Sequence, residues 1–188
     1  MTDVYFIRHA ESDCGVHDDR SRPLTEKGMA DRTLVTKFLA DKGITVMASS
    51  PYKRAYDTIE EFSRQQGLKI HCIEDFRERC IAEGWIEDFT AFSRRQWEDF
   101  SYKRAAGESL GEVQKRNVAA LYELLSAYPG EAMAIGTHGT ALSTIIHYFD
   151  PSFGFENFTE IKNLMPWIVH FRFDGKICRA IEYVNLFD

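Results

Sequence analysis

The sequence predicts an α/β fold, a three-layer sandwich with a mostly parallel central sheet, one antiparallel edge and a small helical cap insertion. Three observations carry this. Short apolar runs alternate with amphipathic helical segments along most of the chain. A stretch at about 83–106, rich in charges and aromatic rings, breaks the alternation. Two β-type runs, Trp167 to Phe173 and Ile177 to Val184, then flank Asp174-Gly175, a dipeptide suited to a tight hairpin turn. A length of 188 residues suits a single domain, 1–188, that carries the insertion.

The elements follow in order. Val4 to Ile7 reads as a buried strand. A polar loop with Gly15, Asp18, Asp19 and Pro23 leads to Thr25, a good cap for a helix with Ala30, Leu34, Phe38 and Leu39 on one face and Gly43 at its end. Ile44 to Ala48 is a second strand. Ser50-Pro51 starts a helix, because proline at the first helical position loses no needed N–H; it runs to about Gly67. Leu68 to Ile73 is a third strand. In the insertion, Trp85, Phe89 and Phe92 have helical spacing and suit the apolar underside of a cap. Ser109 with Glu112 forms a capping box before a helix whose inner face is Leu110, Val113, Leu121, Leu124 and Leu125. Ala132 to Gly136 is a strand, Gly139 to Phe149 a helix, and the hairpin closes the chain, forming the antiparallel edge.

Composition excludes some functions. The net charge of −6 argues against nucleic acid and anionic membrane as partners. No run approaches a membrane span, and the start of the chain lacks a signal-peptide pattern. Four cysteines without CxxC spacing read as free thiols, so cytoplasmic residence is expected. No HExxH or paired Cys/His spacing suggests a metal, and a P-loop is absent.

The chemistry gathers at strand ends. Arg8-His9 follows the first strand, Arg54 lies in the first turn of the helix after the second, and His138-Gly139 follows the Ala132–Gly136 strand. Ligands of open α/β sheets bind beyond the carboxyl ends of the strands, so two arginines and two histidines aim at one rim and predict an anion there. The helix opening at Gly139 offers N–H groups and a favourable dipole to the same anion. Phosphoryl transfer needs an in-line nucleophile, cations around the phosphoryl oxygens and a proton for the leaving oxygen. His9 suits the first part, Arg8, Arg54 and His138 the second, and Glu78, just after the third strand, the third. Ser12 and His17 are candidate substrate contacts. His71, His147 and His170 read as structural.

These residues stand in motifs that resemble the histidine phosphatase superfamily, the phosphoglycerate-mutase-like group: IRHAES at Ile7 to Ser12, PLTEKG at Pro23 to Gly28, SSPYKRAYDT at Ser49 to Thr58, FRER at Phe76 to Arg79, GESL at Gly107 to Leu110 and THGT at Thr137 to Thr140. The resemblance implies a phosphohistidine on His9, a phosphate pocket of Arg8, Arg54 and His138, Glu78 as proton donor, no metal and no organic cofactor. It also implies an α/β core with a variable insertion over the site. The chain departs from the group with Ala10 where glycine is frequent, Gly15 where many members have asparagine, and Asp31 where many have glutamine. The expected activity is hydrolysis of a small phosphorylated metabolite. A phosphomutase and a non-catalytic phospho-ligand binder are the alternatives, and the oligomeric state is open.

Overall fold

The computed structural model describes residues 1–81 and 86–187. Its six strands are β1 (Thr2–Arg8), β2 (Val46–Ser49), β3 (Ile70–Cys72), β4 (Ala132–Thr137), β5 (Trp167–Asp174) and β6 (Ile177–Val184). They form one sheet in the order β3-β2-β4-β1-β5-β6. The first four run parallel, while β5 pairs antiparallel with both β1 and β6. The helices are α1 (Glu26–Leu39), α2 (Lys53–Gln66), α3 (Phe89–Glu98), α4 (Leu110–Ala127), α5 (Gly139–Phe149) and α6 (Phe155–Glu160).

The two-residue period of the strands builds two cores. Val4 and Phe6 of β1, with Met133, Ile135, Val169, Phe171 and Phe173, face the layer that holds Leu121, Leu124 and Leu125 of α4 and Leu142, Ile145 and Ile146 of α5. Tyr5 and Ile7, with Met47, Ala134 and Ile168, face Val35 and Leu39 of α1 and Ile59 and Phe62 of α2. Both faces of the sheet are covered, so the central strands are continuous apolar runs rather than alternating ones.

Most of the expected elements form, with instructive differences at their ends. Thr25 caps α1, its hydroxyl accepting from Gly28 N, and the Ser109–Glu112 box caps α4 as expected. The α1 face is rotated from the expected one: Ala30 is exposed and Leu34 only half-buried, while Val35, Thr36 and Leu39 point inward. α1 ends at Leu39, before Gly43. The second and third strands are shorter or shifted, since β2 starts at Val46 and β3 keeps only Ile70 to Cys72, where it can pair with β2. Pro51 does not open α2. The helix begins at Lys53, because the Ser50 hydroxyl accepts from Tyr52 N–H and holds 50–52 in a turn. Arg54 still falls in the first turn. Among the described residues of the insertion only α3 is helical, with Asp88 as its cap; Trp85 lies outside the described residues. The sequence reading passed over α6, six residues long, where the Asn157 side chain accepts from Gly154 N–H. The final hairpin turns at Gly175, whose φ of 59° lies in the left-handed region that Asp174-Gly175 anticipated.

Phe6 is fully buried and meets Phe76 and Phe171 edge-on, with ring centroids 6.0 and 5.6 Å apart. Phe6→Ala should lower unfolding free energy by about 3–5 kcal/mol in urea titrations. Met29→Ala on the exposed face of α1 should change it by less than about 0.5 kcal/mol.

Candidate active site

The carboxyl ends of β1, β2 and β4 lie side by side, so the residues following them meet. His9 N–H is tied to Thr137 O at 3.0 Å and Ser50 N–H to Gly136 O at 2.8 Å. The His9 and His138 rings stand 5.3 Å apart, centre to centre, at 64°. His138 is fully buried, its Nε2 2.8 Å from Ser50 Oγ, and its Nδ1 has no partner among the described residues.

The two neighbours of His9 fix its proton. Nδ1 lies 2.7 Å from Ala10 O, which can only accept, so Nδ1 carries the hydrogen. Nε2 lies 3.2 Å from Arg54 Nε–H, which can only donate, so Nε2 carries the lone pair. Burial, then the charges of Arg54 and Arg8, hold the ring well below the ordinary histidine range. Burial, then Arg54 and His9, do the same to His138.

The arginines are held by oxygens far away in sequence. Arg8 Nη1 donates to Ile161 O at 2.7 Å and Leu164 O at 3.2 Å, while its buried Nε has no partner among the described residues. Burial lowers its pKa to about 10, opposed by Glu78. Its guanidinium crosses Gly139 so closely that a Cβ there would lie 3.1–3.2 Å from it, which accounts for glycine at this position. Arg54 does not present an empty fork. Besides its contact to His9, Nη1 donates to Asp19 O at 2.5 Å and Nη2 lies 3.1 Å from Asp19 Oδ1.

The N-terminus of α5 differs from the expectation that it serves the bound anion. Its Thr140 and Ala141 N–H groups donate to Glu78 Oε2 and Oε1 at 3.0 and 3.1 Å, so a carboxylate of the protein already takes them. Arg79 N–H adds a third donor at 2.8 Å. Arg116 of α4 secures the segment that carries Glu78, donating to Asp75 O, Arg77 O and Glu78 O at 2.7, 2.8 and 3.2 Å. Glu108 braces Arg116 at 2.9 and 3.0 Å and also accepts from Cys80 N. Burial pushes the Glu108 carboxyl up, but Arg116, Cys80 N–H and Arg77 outweigh it and hold it low. Neighbouring Glu74 is engaged elsewhere, with Arg20.

Two cavities leave this centre, sharing His9, Glu78, Phe89 and Thr140. One, of about 510 Å³, continues past Arg54 to Ser12, His17, Arg22, Tyr52 and Arg79. The other, of about 350 Å³, holds Arg8 and Gly139 and runs between α3 and α6 past Phe155, Phe158 and Met165. Each candidate site residue from the sequence therefore lines one cavity or both, except His138, which stands behind the His9 ring. His147 and His170 have structural partners, Phe153 O and Asp3, and His71 is exposed on β3. Sequence reasoning missed Ser50, Asp19, Tyr52, Arg79 and Thr140. Ser50 had a usable signal, since it follows β2 as His9 follows β1.

Comparison with known proteins shows the family and the fold. Residues 4–185 match the model of the histidine phosphatase superfamily (branch 1). The chain is similar to a Bacillus subtilis protein named "Uncharacterized phosphatase PhoE", 28% identical over 153 residues that cover 78% of this chain and 76% of the other. It is as similar to a Yersinia pestis protein named "Probable phosphoglycerate mutase GpmB", 28% identical over 160 residues, 78% and 74% of the two chains. Among solved structures, Bacillus stearothermophilus YhfR superimposes with a TM-score of 0.78 at 24% identity, over 96% of this chain and 95% of that one. An Entamoeba histolytica phosphoserine phosphatase, solved with phosphoserine, gives 0.81 at 18%, over 100% and 98%.

Both buried imidazoles bind a proton less readily in the folded chain than in the unfolded one, so acid favours unfolding. Unfolding free energy should fall as pH drops below about 6.5, by up to about 1.4 kcal/mol per pH unit for each ring. Urea titrations between about pH 7.5 and 5 check this, and His138→Gln should flatten the slope by about one ring's share. An unchanged slope counts against two buried neutral rings.

Proposed function

Since this chain belongs to the histidine phosphatase superfamily, we propose that it is a phosphatase that hydrolyses a small phosphomonoester through a phosphohistidine on His9, with Glu78 as general acid and base. The observation that carries this reading is the neutral His9 ring, its lone pair on Nε2 facing Arg54 Nε–H, with the charges of Arg54 and Arg8 acting on the ring. The substrate phosphate displaces the Asp19 carboxylate from Arg54, an exchange of one anion for another on the same fork. Arg8, Arg54 and the Gly139 region then surround the phosphoryl oxygens, with His138 supporting the His9 ring from behind, and Ser12 and His17 lie along the way to the leaving group.

In the first step His9 Nε2 attacks phosphorus, the P–O ester bond breaks, and a protonated Glu78 gives its proton to the departing oxygen. In the second, Glu78 takes a proton from water, the water oxygen bonds to phosphorus, the P–N bond breaks, and inorganic phosphate leaves with His9 restored. α3 and its flanking segments act as the cap over both cavities. No metal or organic cofactor takes part. Four free cysteines suit a reducing, cytoplasmic setting.

Turnover of an aryl phosphate in excess chelator tests the proposal. His9→Ala should abolish it, Glu78→Gln should lower kcat by about 10²–10⁴, and quenching in alkaline detergent should trap an acid-labile phosphate on His9. Chelator-sensitive turnover, or turnover that survives His9→Ala, overturns it. The GpmB likeness raises a mutase reading, which gains if phosphate passes between glyceric acid positions faster than to water.

Arg116→Lys keeps the charge but loses the planar fork that ties three carbonyls to Glu108. It should lower kcat about tenfold or more by displacing Glu78, with KM little changed. Single-turnover kinetics at saturating substrate measure this.

A further inference from the structure

The turn Ile161–Asn163, which follows α6 directly, has two unlike faces. Its polar face holds Arg8, since the carbonyl oxygens of Ile161 and Leu164 accept from Nη1 at 2.7 and 3.2 Å. Ile161 O also accepts from Leu164 N–H at 3.0 Å, so the turn closes on the same atom that positions the guanidinium. Its apolar face, the side chains of Ile161 and Leu164, borders a third cavity, of about 330 Å³. None of the residues lining that cavity lines the two that meet at His9.

The third cavity has an aromatic wall and an acidic rim. Trp167 of β5 is buried and stacks on Tyr183 of β6, with ring centres 5.8 Å apart at 19°, and Phe153 stands 6.4 Å from Tyr183. Asp150 and Glu160 line the same space, and among the described residues no lysine, arginine or histidine does. Lys162, two residues beyond Glu160, lines the cavity on the other side of the turn. Asp150 Oδ1 accepts from the N–H and hydroxyl of Ser152, and neither carboxylate has an ion-pair partner among the described residues. The Asp150 charge reaches the aromatic wall, where burial and then Asp150 push the Tyr183 phenol up. Two anions at the mouth of an apolar, ring-lined space reverse the pattern around His9, where the cations gather. Such a space suits a positively charged ligand with an apolar body.

We infer that this cavity is an effector site for a small organic ammonium ion with a ring or similar apolar body, and that filling it strengthens phosphate binding through Arg8. The rings of Trp167, Tyr183 and Phe153 take the body, and Asp150 and Glu160 take the ammonium N–H groups. The occupant packs beneath Ile161 and Leu164 and holds the turn in the shape that aims both carbonyls at Arg8. It thereby favours the form of the protein whose guanidinium is oriented for an anion, which is the differential contact that a shift between forms requires. The site itself rests on the cavity alone, while the coupling rests on the reading of Arg8 as a phosphate clamp.

Phenethylamine is the probe, with 2-phenylethanol and 3-phenylpropionate as neutral and anionic counterparts of similar shape. Calorimetry on the full chain at constant ionic strength should show phenethylamine binding about tenfold or more tighter than either. Combining Asp150→Asn with Glu160→Gln should bring that preference below about threefold, with thermal melts establishing that the variant is folded. Saturating phenethylamine should lower the Kd of orthophosphate about fivefold, and saturating orthophosphate should lower the Kd of phenethylamine by the same factor. The double variant should show neither effect. Equal binding of the three probes, or binding of none, overturns the site. Phenethylamine that weakens phosphate binding, or a gain that survives in the double variant, places the amine beside His9 and overturns it as well. Binding that leaves the phosphate Kd unchanged overturns the effector role. If orthophosphate itself does not bind, the reading of Arg8 as a clamp fails, while the charge preference among the three probes still decides the cavity.

Discussion

The hydrogen bond from Arg54 Nε–H to His9 Nε2, opposed by Nδ1–H to Ala10 O, constrains much else in the site. An imidazole in water samples two tautomers and a cation, and only one of these forms offers a lone pair on the required nitrogen. Here an acceptor on one side and an obligate donor on the other select that form, and burial suppresses the cation. The arrangement is possible only because the β1 and β2 ends are adjacent to the β4 end. That adjacency follows from placing β4 between them in a parallel sheet. The sheet order is in this sense part of the histidine's chemistry.

A second constraint concerns negative charge. Two protein carboxylates sit where an anion would be welcome, Glu78 on the α5 N-terminus and Asp19 on Arg54. They have different holds. Glu78 is anchored by backbone N–H groups and by a segment that Arg116 clips through three carbonyls. Asp19 is partly exposed on a loop and faces the buried guanidinium of Arg54. The acidic net charge of the whole chain is compatible with an anion site because the cations are local, buried and directed.

Rigidity and openness are divided between layers. The two cores on the sheet faces fix the strand ends, while residues of α3 and α6 line the smaller of the two cavities. Trp97 and Phe100 of the insertion pack on His147 of α5, with centroid distances of 5.8 and 4.6 Å, so one flank of the cap is continuous with the core. Phe89, at the other end of α3, is exposed and borders both cavities. The aromatic residues of this stretch thus serve two purposes that their shared spacing conceals.

By itself the sequence determined the layer order, the hairpin and the rim where His9, Arg54, Glu78 and His138 would gather. These follow from local rules: strand and helix periods, caps such as Thr25 and Ser109, and the tendency of strand-end residues in parallel sheets to converge. Tertiary structure decided what local rules do not reach. The turn at Ser50 that delays α2, the rotated face of α1 and the short helix α6 reflect packing partners remote in sequence. So do the seating of Glu78 on α5, the closing of Arg54's fork by Asp19 and the bond from Arg79 to Gln96. In each of these a charge or a backbone donor chooses among several partners of the same chemical type. The nearest in space wins, and distance in space is what a linear pattern of residues does not encode.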